Sequence, residues 1–138
     1  MRVFLDTNIV LDVLLNRPGL VTESEAVILR CEKSGDPMFM AWHGLATAYY
    51  LLRRGRSETD AMVEVDKLLA WVRIADAVDA NARAARQLGF GDFEDALQAV
   101  SAEACGADCI ITRNRADFAK SKVRVLTPTE FVAQFPAS

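Results

Sequence analysis

The sequence predicts an α/β domain, an α/β/α sandwich built on a central parallel sheet of about four to five strands. Three observations carry this reading. Short runs of strand-forming apolar residues recur along the chain, each is followed by a stretch with helical periodicity, and the alternation proceeds without a linker, repeat or low-complexity segment. Strands separated by helices of about 10 to 15 residues can pair only through crossovers, which makes the sheet parallel and puts helices on both faces. At 138 residues, 51% hydrophobic and 25% charged, the chain has the size and composition of a single packed domain, residues 1–138.

The elements follow in order. Arg2-Val-Phe-Leu5 is a buried first strand that runs into Asp-Thr-Asn, residues that cap helices. Ile9, Val10, Val13 and Leu14 then recur at helical spacing until Asn16-Arg-Pro-Gly19 stops the run. A second helix is expected to start at Thr22 as N-cap with Glu25 completing a capping box, to turn Ala26, Ile28, Leu29 and Cys31 inward, and to end near Ser34-Gly35. Pro37 to Met40 is the second strand. Ala41 to Leu52 is a helix with Leu45, Ala48, Tyr49 and Leu52 on one face, closed by Arg53, Arg54 and Gly55. From Ser57 a further helix carries Met62, Val65, Leu68 and Leu69 inward towards Trp71, and Val72-Arg-Ile74 is a third strand. Asp79 to Leu88 is Ala-rich and helical, Gly89-Phe-Gly91 breaks it, and Asp92 to Cys105 forms a strong helix ending at Gly106. Cys109-Ile-Ile111 and Val123 to Leu126 are the last strands, and Thr127 caps a final helix from Pro128 to Phe135 with Glu130 at its third position.

Composition removes several function classes. Cys31, Cys105 and Cys109 are odd in number and match no C-x-x-C or zinc-finger spacing, so they read as reduced cytosolic thiols and small core residues. No segment resembles a signal peptide or approaches the ~20 apolar residues of a membrane span, so a cytoplasmic protein with no membrane partner is expected. The net charge of −3 argues against a generally basic nucleic-acid binder and confines any such contact to a local patch. Neither a phosphate-binding G-x-x-x-x-G-K-[ST] loop nor a G-x-G-x-x-G turn is present, and the single histidine, His43, has no neighbouring acid in sequence and reads as a helix-surface residue.

Acidic residues collect instead where an open parallel sheet places its functional crevice, beyond the carboxyl ends of the strands. Asp6 follows the first strand, Asp92-Phe-Glu-Asp95 opens the helix after Gly91, and Thr112-Arg-Asn-Arg-Ala-Asp117 follows the fourth strand. Asp6, Asp92 and Asp117 each also read as helix caps. Asp95 is harder to explain that way, because it lies between Phe93 and Ala96 in a segment expected to be buried. Carboxylates gathered in one place repel unless they share a proton or a cation, and hard oxygen donors suit Mg²⁺ or Mn²⁺.

Five segments together resemble one family, the PIN domain, and within it the bacterial branch related to toxins of VapC type. They are Phe4-Leu-Asp-Thr-Asn8 with Asp12 one turn beyond, Asp92-Phe-Glu-Asp-Ala-Leu-Gln98, Ala107-Asp-Cys-Ile-Ile-Thr-Arg-Asn114, Asp117-Phe118 and Leu126-Thr-Pro-Thr-Glu-Phe131. Their order and spacing span nearly the whole chain. The resemblance implies a Mg²⁺- or Mn²⁺-dependent endoribonuclease that hydrolyses phosphodiester bonds of single-stranded RNA. It carries catalytic roles onto Asp6, Asp95 and Asp117, with Asp92, Glu94 and Asn114 as further metal-site residues. Asn8, Asp12, Thr47 and Thr112 become polar supports. Arg113 and Arg115 flank the site in sequence and are candidate RNA phosphate contacts. The toxin-like reading implies a cognate antitoxin as partner, and the apolar helices around Leu45 to Leu52 and Met62 to Leu69 offer a homodimer face.

Two positions depart from the common family pattern. Thr47 stands where many members have a glutamate on the helix after the second strand, and Asn114 where many have an aspartate two residues after the threonine. An amide or hydroxyl oxygen binds Mg²⁺ more weakly than a carboxylate, and Asp117 or Asp12 would have to substitute. The departures keep a second reading open, a non-catalytic PIN module that binds RNA or protein.

Overall fold

The computed structural model describes residues 1–138. Five short parallel strands, β1 (Val3–Leu5), β2 (Met38–Met40), β3 (Arg73–Ile74), β4 (Cys109–Ile111) and β5 (Arg124–Leu126), form one sheet in the order β3-β2-β1-β4-β5. Around it lie α1 (Thr7–Leu14), α2 (Val21–Ser34), α3 (Trp42–Leu52), α4 (Glu58–Trp71), α5 (Asp79–Gln87), α6 (Phe93–Ala104) and α7 (Pro128–Gln134), with a 3₁₀ turn at Arg115–Phe118. This is the α/β/α sandwich that the alternation predicts. None of the helices is long and apolar enough to cross a membrane.

Alternation along the strands divides the core in two. Val3, Leu5, Met38, Met40, Cys109 and Ile111 face one side and pack with α1, α2 and α7 through residues such as Val10, Val27 and Phe131. Phe4, Phe39 and Ile110 face the other, where α6 supplies Ala99 and Ala102 and the 3₁₀ turn supplies Phe118. Both faces of the sheet are covered, so the strands read as unbroken apolar runs. Cys31, Cys105 and Cys109 are buried free thiols, and burial pushes Cys31 up to about 11 and Cys109 up to about 12.

Two local expectations are corrected and a third is borne out. α2 starts at Val21 with Leu20 as an N-cap that makes no side-chain hydrogen bond, so Thr22 caps nothing. The Arg17–Gly19 reversal sets the entry instead, because the Leu20 and Val21 N–H groups both donate to the Arg17 carbonyl, at 3.2 and 3.0 Å. This start turns Ser24, Val27, Ile28 and Cys31 inward and leaves Leu29 56% exposed. On α4 the buried residues are Ala61, Val65 and Leu68, and Met62 and Leu69 face outward, because the inward stripe is only one residue wide. At the end of α3, Arg53 and Arg56 donate to the carbonyls of Arg56 and Leu52, so this basic cluster closes the helix as a C-terminal cap.

One glycine couples the fold to the crevice. A Cβ on Gly44, in the first turns of α3, would lie 2.5 Å from the Thr7 Oγ1 and 3.2 Å from the Met40 Cε. Alanine ordinarily stabilises a helix interior over glycine by about 1 kcal/mol. Here the close approach reverses the sign. Gly44→Ala should destabilise the protein by about 1–3 kcal/mol in chemical denaturation; a stabilised variant would show that α3 can move off Thr7 freely.

Candidate active site

The register of the sheet builds the site. Leu5 pairs with Ile111 as the last matched residues of β1 and β4, and the Asp6 N–H still donates to the Ile111 carbonyl at 3.0 Å. Asp6 and Thr112 therefore leave the sheet side by side at the point where the strand order reverses, the position at which open α/β sheets form their crevice. Asp6 is only 4% exposed. Its Oδ2 accepts from the Thr112 hydroxyl at 2.8 Å, and its Oδ1 accepts from the Gln98 amide at 3.0 Å and the Asn8 N–H at 3.2 Å. Burial raises the Asp6 carboxyl above its usual range, these three donors act against that, and the nearby Glu94 charge adds to the rise.

α6 brings in the remaining acids. Asp92 caps the helix by accepting from the Asp95 N–H at 3.1 Å, which places Glu94 and Asp95 in the first turn. One turn further, the buried Gln98 side chain spans three groups. Its Oε1 accepts from the Thr7 N–H at 2.9 Å, and its Nε2 donates to Asp6 and to both Glu94 oxygens at 3.0 and 3.1 Å. His43, at the start of α3, meets Glu94 with Nε2 3.2 Å from Oε1. His43 is partly exposed on its helix, and the fold supplies from 51 residues away the acid that its sequence neighbours lack. The His43 contact, ahead of the Gln98 bond, holds Glu94 below the ordinary glutamate range.

Asp92, Glu94 and Asp95 each place a carboxylate oxygen within 4.8 Å of the others. Asp95 is half-buried, and burial together with the charges of Glu94, Asp92 and Asp6 pushes its carboxyl up to about 7. Its neighbour Phe93 is 50% exposed, so the start of α6 lies at the rim of the crevice and is less buried than the sequence suggests. Asp117 lines a cleft of about 480 Å³ with Asp92, Asp95, Gly91 and Lys120 but stands outside the close trio. Asn114 is exposed, and its N–H donates to the Thr112 hydroxyl.

The other candidates lie outside this cluster. Asp12 is fully buried, and its oxygens accept from Arg113 Nε and Nη2 at 3.1 Å each, Arg17 Nη1 at 3.4 Å and Ser24 Oγ at 2.7 Å. Four contacts fill the carboxylate, so it has no oxygen left to substitute at the acidic cluster. Arg115 pairs with Glu130 at 2.8 Å. Thr47 is exposed and its hydroxyl donates to the His43 carbonyl at 3.2 Å, which places it one turn beyond the residue that meets Glu94. Asn8, also exposed, accepts from Arg17 Nη1 at 3.3 Å. Gln98, Thr7, Ser24 and Arg17 also hold these groups in place, although no sequence motif points to their roles. Only Gln98 carried a signal, a polar residue one turn after Glu94 on an otherwise apolar helix face.

The donor set suits a hard divalent cation. It is all oxygen, it is crowded enough to drive a proton onto Asp95, and a cation would relieve the same repulsion. A pH test follows from the sign of that shift. Without metal the folded chain holds a proton on Asp95 up to about pH 7, whereas the unfolded chain releases it near 3.8. Stability due to this residue is thus fully present below 3.8 and is lost progressively as pH rises to 7. In a chelating buffer, Asp95→Asn should raise Tm by on the order of 3–6 °C above pH 7, with the gain vanishing towards pH 4. A gain that does not depend on pH would remove the crowding account.

A family model described as a PIN domain matches residues 2–116. No curated protein matches the sequence. Among solved structures, VapBC-1 from nontypeable Haemophilus influenzae is similar, with a TM-score of 0.70 and 19% identity over 94% of this chain and 99% of that one. VapBC2 from Rickettsia felis, bound to a DNA fragment from their promoter, gives a TM-score of 0.67 and 17% identity over 92% of this chain and 98% of that one. FitAcB from Neisseria gonorrhoeae gives 0.64 and 17% over 92% and 98%. At these identities the structures speak to the fold, and the fold they share is the five-stranded sandwich described above. With the family model covering most of the sequence, the chain belongs to the PIN domain family.

Proposed function

We propose that the protein is a Mg²⁺- or Mn²⁺-dependent endoribonuclease that hydrolyses single-stranded RNA, acting as a toxin of the toxin–antitoxin kind. The observation that carries this reading is the buried Asp6 carboxylate at the sheet's switch point, joined through one glutamine amide to a second carboxylate, Glu94, in a crowded acidic trio. Asp6, Glu94 and Asp95 would hold the cation, with Asp92 and Asp117 at the cleft wall. When bound, the cation supplies Lewis acidity and neutralises charge developing on the phosphate.

The chain's own groups prepare that chemistry. Gln98 and the Asn8 N–H donate to one Asp6 oxygen and Thr112 to the other, which fixes the carboxylate plane while leaving one lone pair of Oδ2 unused. His43 and Gln98 grip Glu94 from two sides and keep it ionised. This ionised glutamate supplies a negative charge close to where the Thr47 departure removes one, which favours the catalytic reading over the binding module.

The same reading assigns a cognate antitoxin and a second copy of the chain as partners in the cytoplasm. Its support is the likeness to VapBC and FitAcB structures and the side chains of Met62, Val63 and Leu69, which α4 leaves 41–47% exposed.

Thermal melting with Mn²⁺ tests the site. A ligand at a hundred times its Kd stabilises a native state by about 2.7 kcal/mol, a rise of several degrees. The parent should show it, and Asp6→Asn and Asp95→Asn should not. With a single-stranded RNA substrate and Mn²⁺, Asp6→Asn should cut cleavage by at least about 10²-fold while the protein remains folded. A parent that gains nothing from Mn²⁺ would transfer the assignment to the non-catalytic binding module.

A further inference from the structure

We infer that Arg17 and Arg113, locked together on the buried Asp12, form a docking point for an RNA phosphodiester beside the carboxylate cluster. The inference rests on the ribonuclease reading and names where its substrate is held. Asp12 is fully buried and binds two guanidinium groups, so the unit retains one positive charge that no protein group neutralises. The heads are only partly covered, with the Arg17 and Arg113 side chains 30% and 26% exposed. Arg113 spends Nε and Nη2 on Asp12, and Arg17 spends Nη1 on Asp12 and Asn8. Arg113 Nη1 and Arg17 Nε and Nη2 have no protein acceptor.

Placement ties this unit to the site from two directions. Arg113 follows Thr112, whose hydroxyl holds Asp6 Oδ2. Arg17 holds the side chain of Asn8, whose N–H holds Asp6 Oδ1. Asp6 is therefore linked to the cationic pair through Asn8 and Thr112 and to the acidic trio through Gln98. A cation belongs on one side of such a field and a phosphodiester anion on the other. In an acidic protein the local positive charge answers the need for phosphate attraction that the net charge of −3 cannot meet. Asp12 is then a positioning residue. It orients a planar, bidentate Arg113, and a lysine at 113 would keep the charge but lose the geometry.

The test uses the whole protein and a labelled single-stranded RNA oligonucleotide, with binding measured in a chelating buffer across a salt series and cleavage measured with Mn²⁺. Arg17→Gln and Arg113→Gln should each weaken binding about tenfold. Each should also lower the slope of log affinity against log salt by about 0.7, the value for one lost phosphate contact on a single strand. Arg113→Lys should restore the slope but leave KM raised, and Asp12→Asn, where it folds, should raise KM with kcat within about twofold. If both glutamine variants melt earlier yet bind RNA with the parent's affinity and slope, the pair is a structural tie between α1, α2 and the loop after β4, and the inference is overturned. A parent that neither binds nor cleaves RNA defeats the ribonuclease reading and this inference with it. A parent that cleaves while the arginine variants match it defeats the inference alone.

Discussion

Everything at the crevice depends on keeping one carboxylate out of water. Removing a carboxylate from solvent costs several kcal/mol, and a fold that does so must return hydrogen bonds of good geometry to the same oxygens. Asp6 receives them from the Thr112 hydroxyl after β4, the Gln98 amide in α6 and the Asn8 N–H in α1. Each hydrogen bond to a charged group is worth about 1.5–3 kcal/mol, and losing one exposes the full desolvation penalty. The central strand, the neighbouring strand and the helix on the far layer are thereby held to a common position.

Gln98 is the least replaceable of these donors. Its amide has two ends, and here they do opposite work, with the oxygen taken by Thr7 and the nitrogen by Asp6 and Glu94. A glutamate could not donate, and an asparagine is one methylene short. Gly44 belongs to the same arrangement, because the Thr7 hydroxyl occupies the volume that any larger residue on α3 would need. Glu94, held by Gln98 from within its own helix and by His43 from α3, closes a ring of contacts from α1 through α6 to α3.

What could be read in the sequence divides along a physical line. Features set by local periodicity or by the sheet rule were legible. The five strands, the capping box of Thr127 and Glu130 and the convergence of Asp6 with Thr112 need only nearest neighbours and the strand order. Features set by remote partners were not. Nothing near Asp12 announces that Ser24 and Arg113 will fill its oxygens, and nothing near His43 announces Glu94. The start of α2 was misplaced because Thr22 and Glu25 have the spacing of a capping box, yet the Arg17–Gly19 reversal had already fixed where the helix begins. Short sequence patterns see caps and faces; they do not see which buried acid a distant donor will choose.

The middle position of β1 also governs when, during synthesis, the crevice can exist. β1 is made before β4, with which it pairs, and Asp6 waits for donors 92 and 106 residues further along. A nascent chain that has made β1, β2 and β3 therefore has one half of a sheet and an aspartate still open to water. The hydrogen-bonded Asp6 site is complete only once β4 and Thr112 have been made. Contacts between residues this far apart in sequence must close a long loop before they form, so the crevice is among the last features of the fold to be completed.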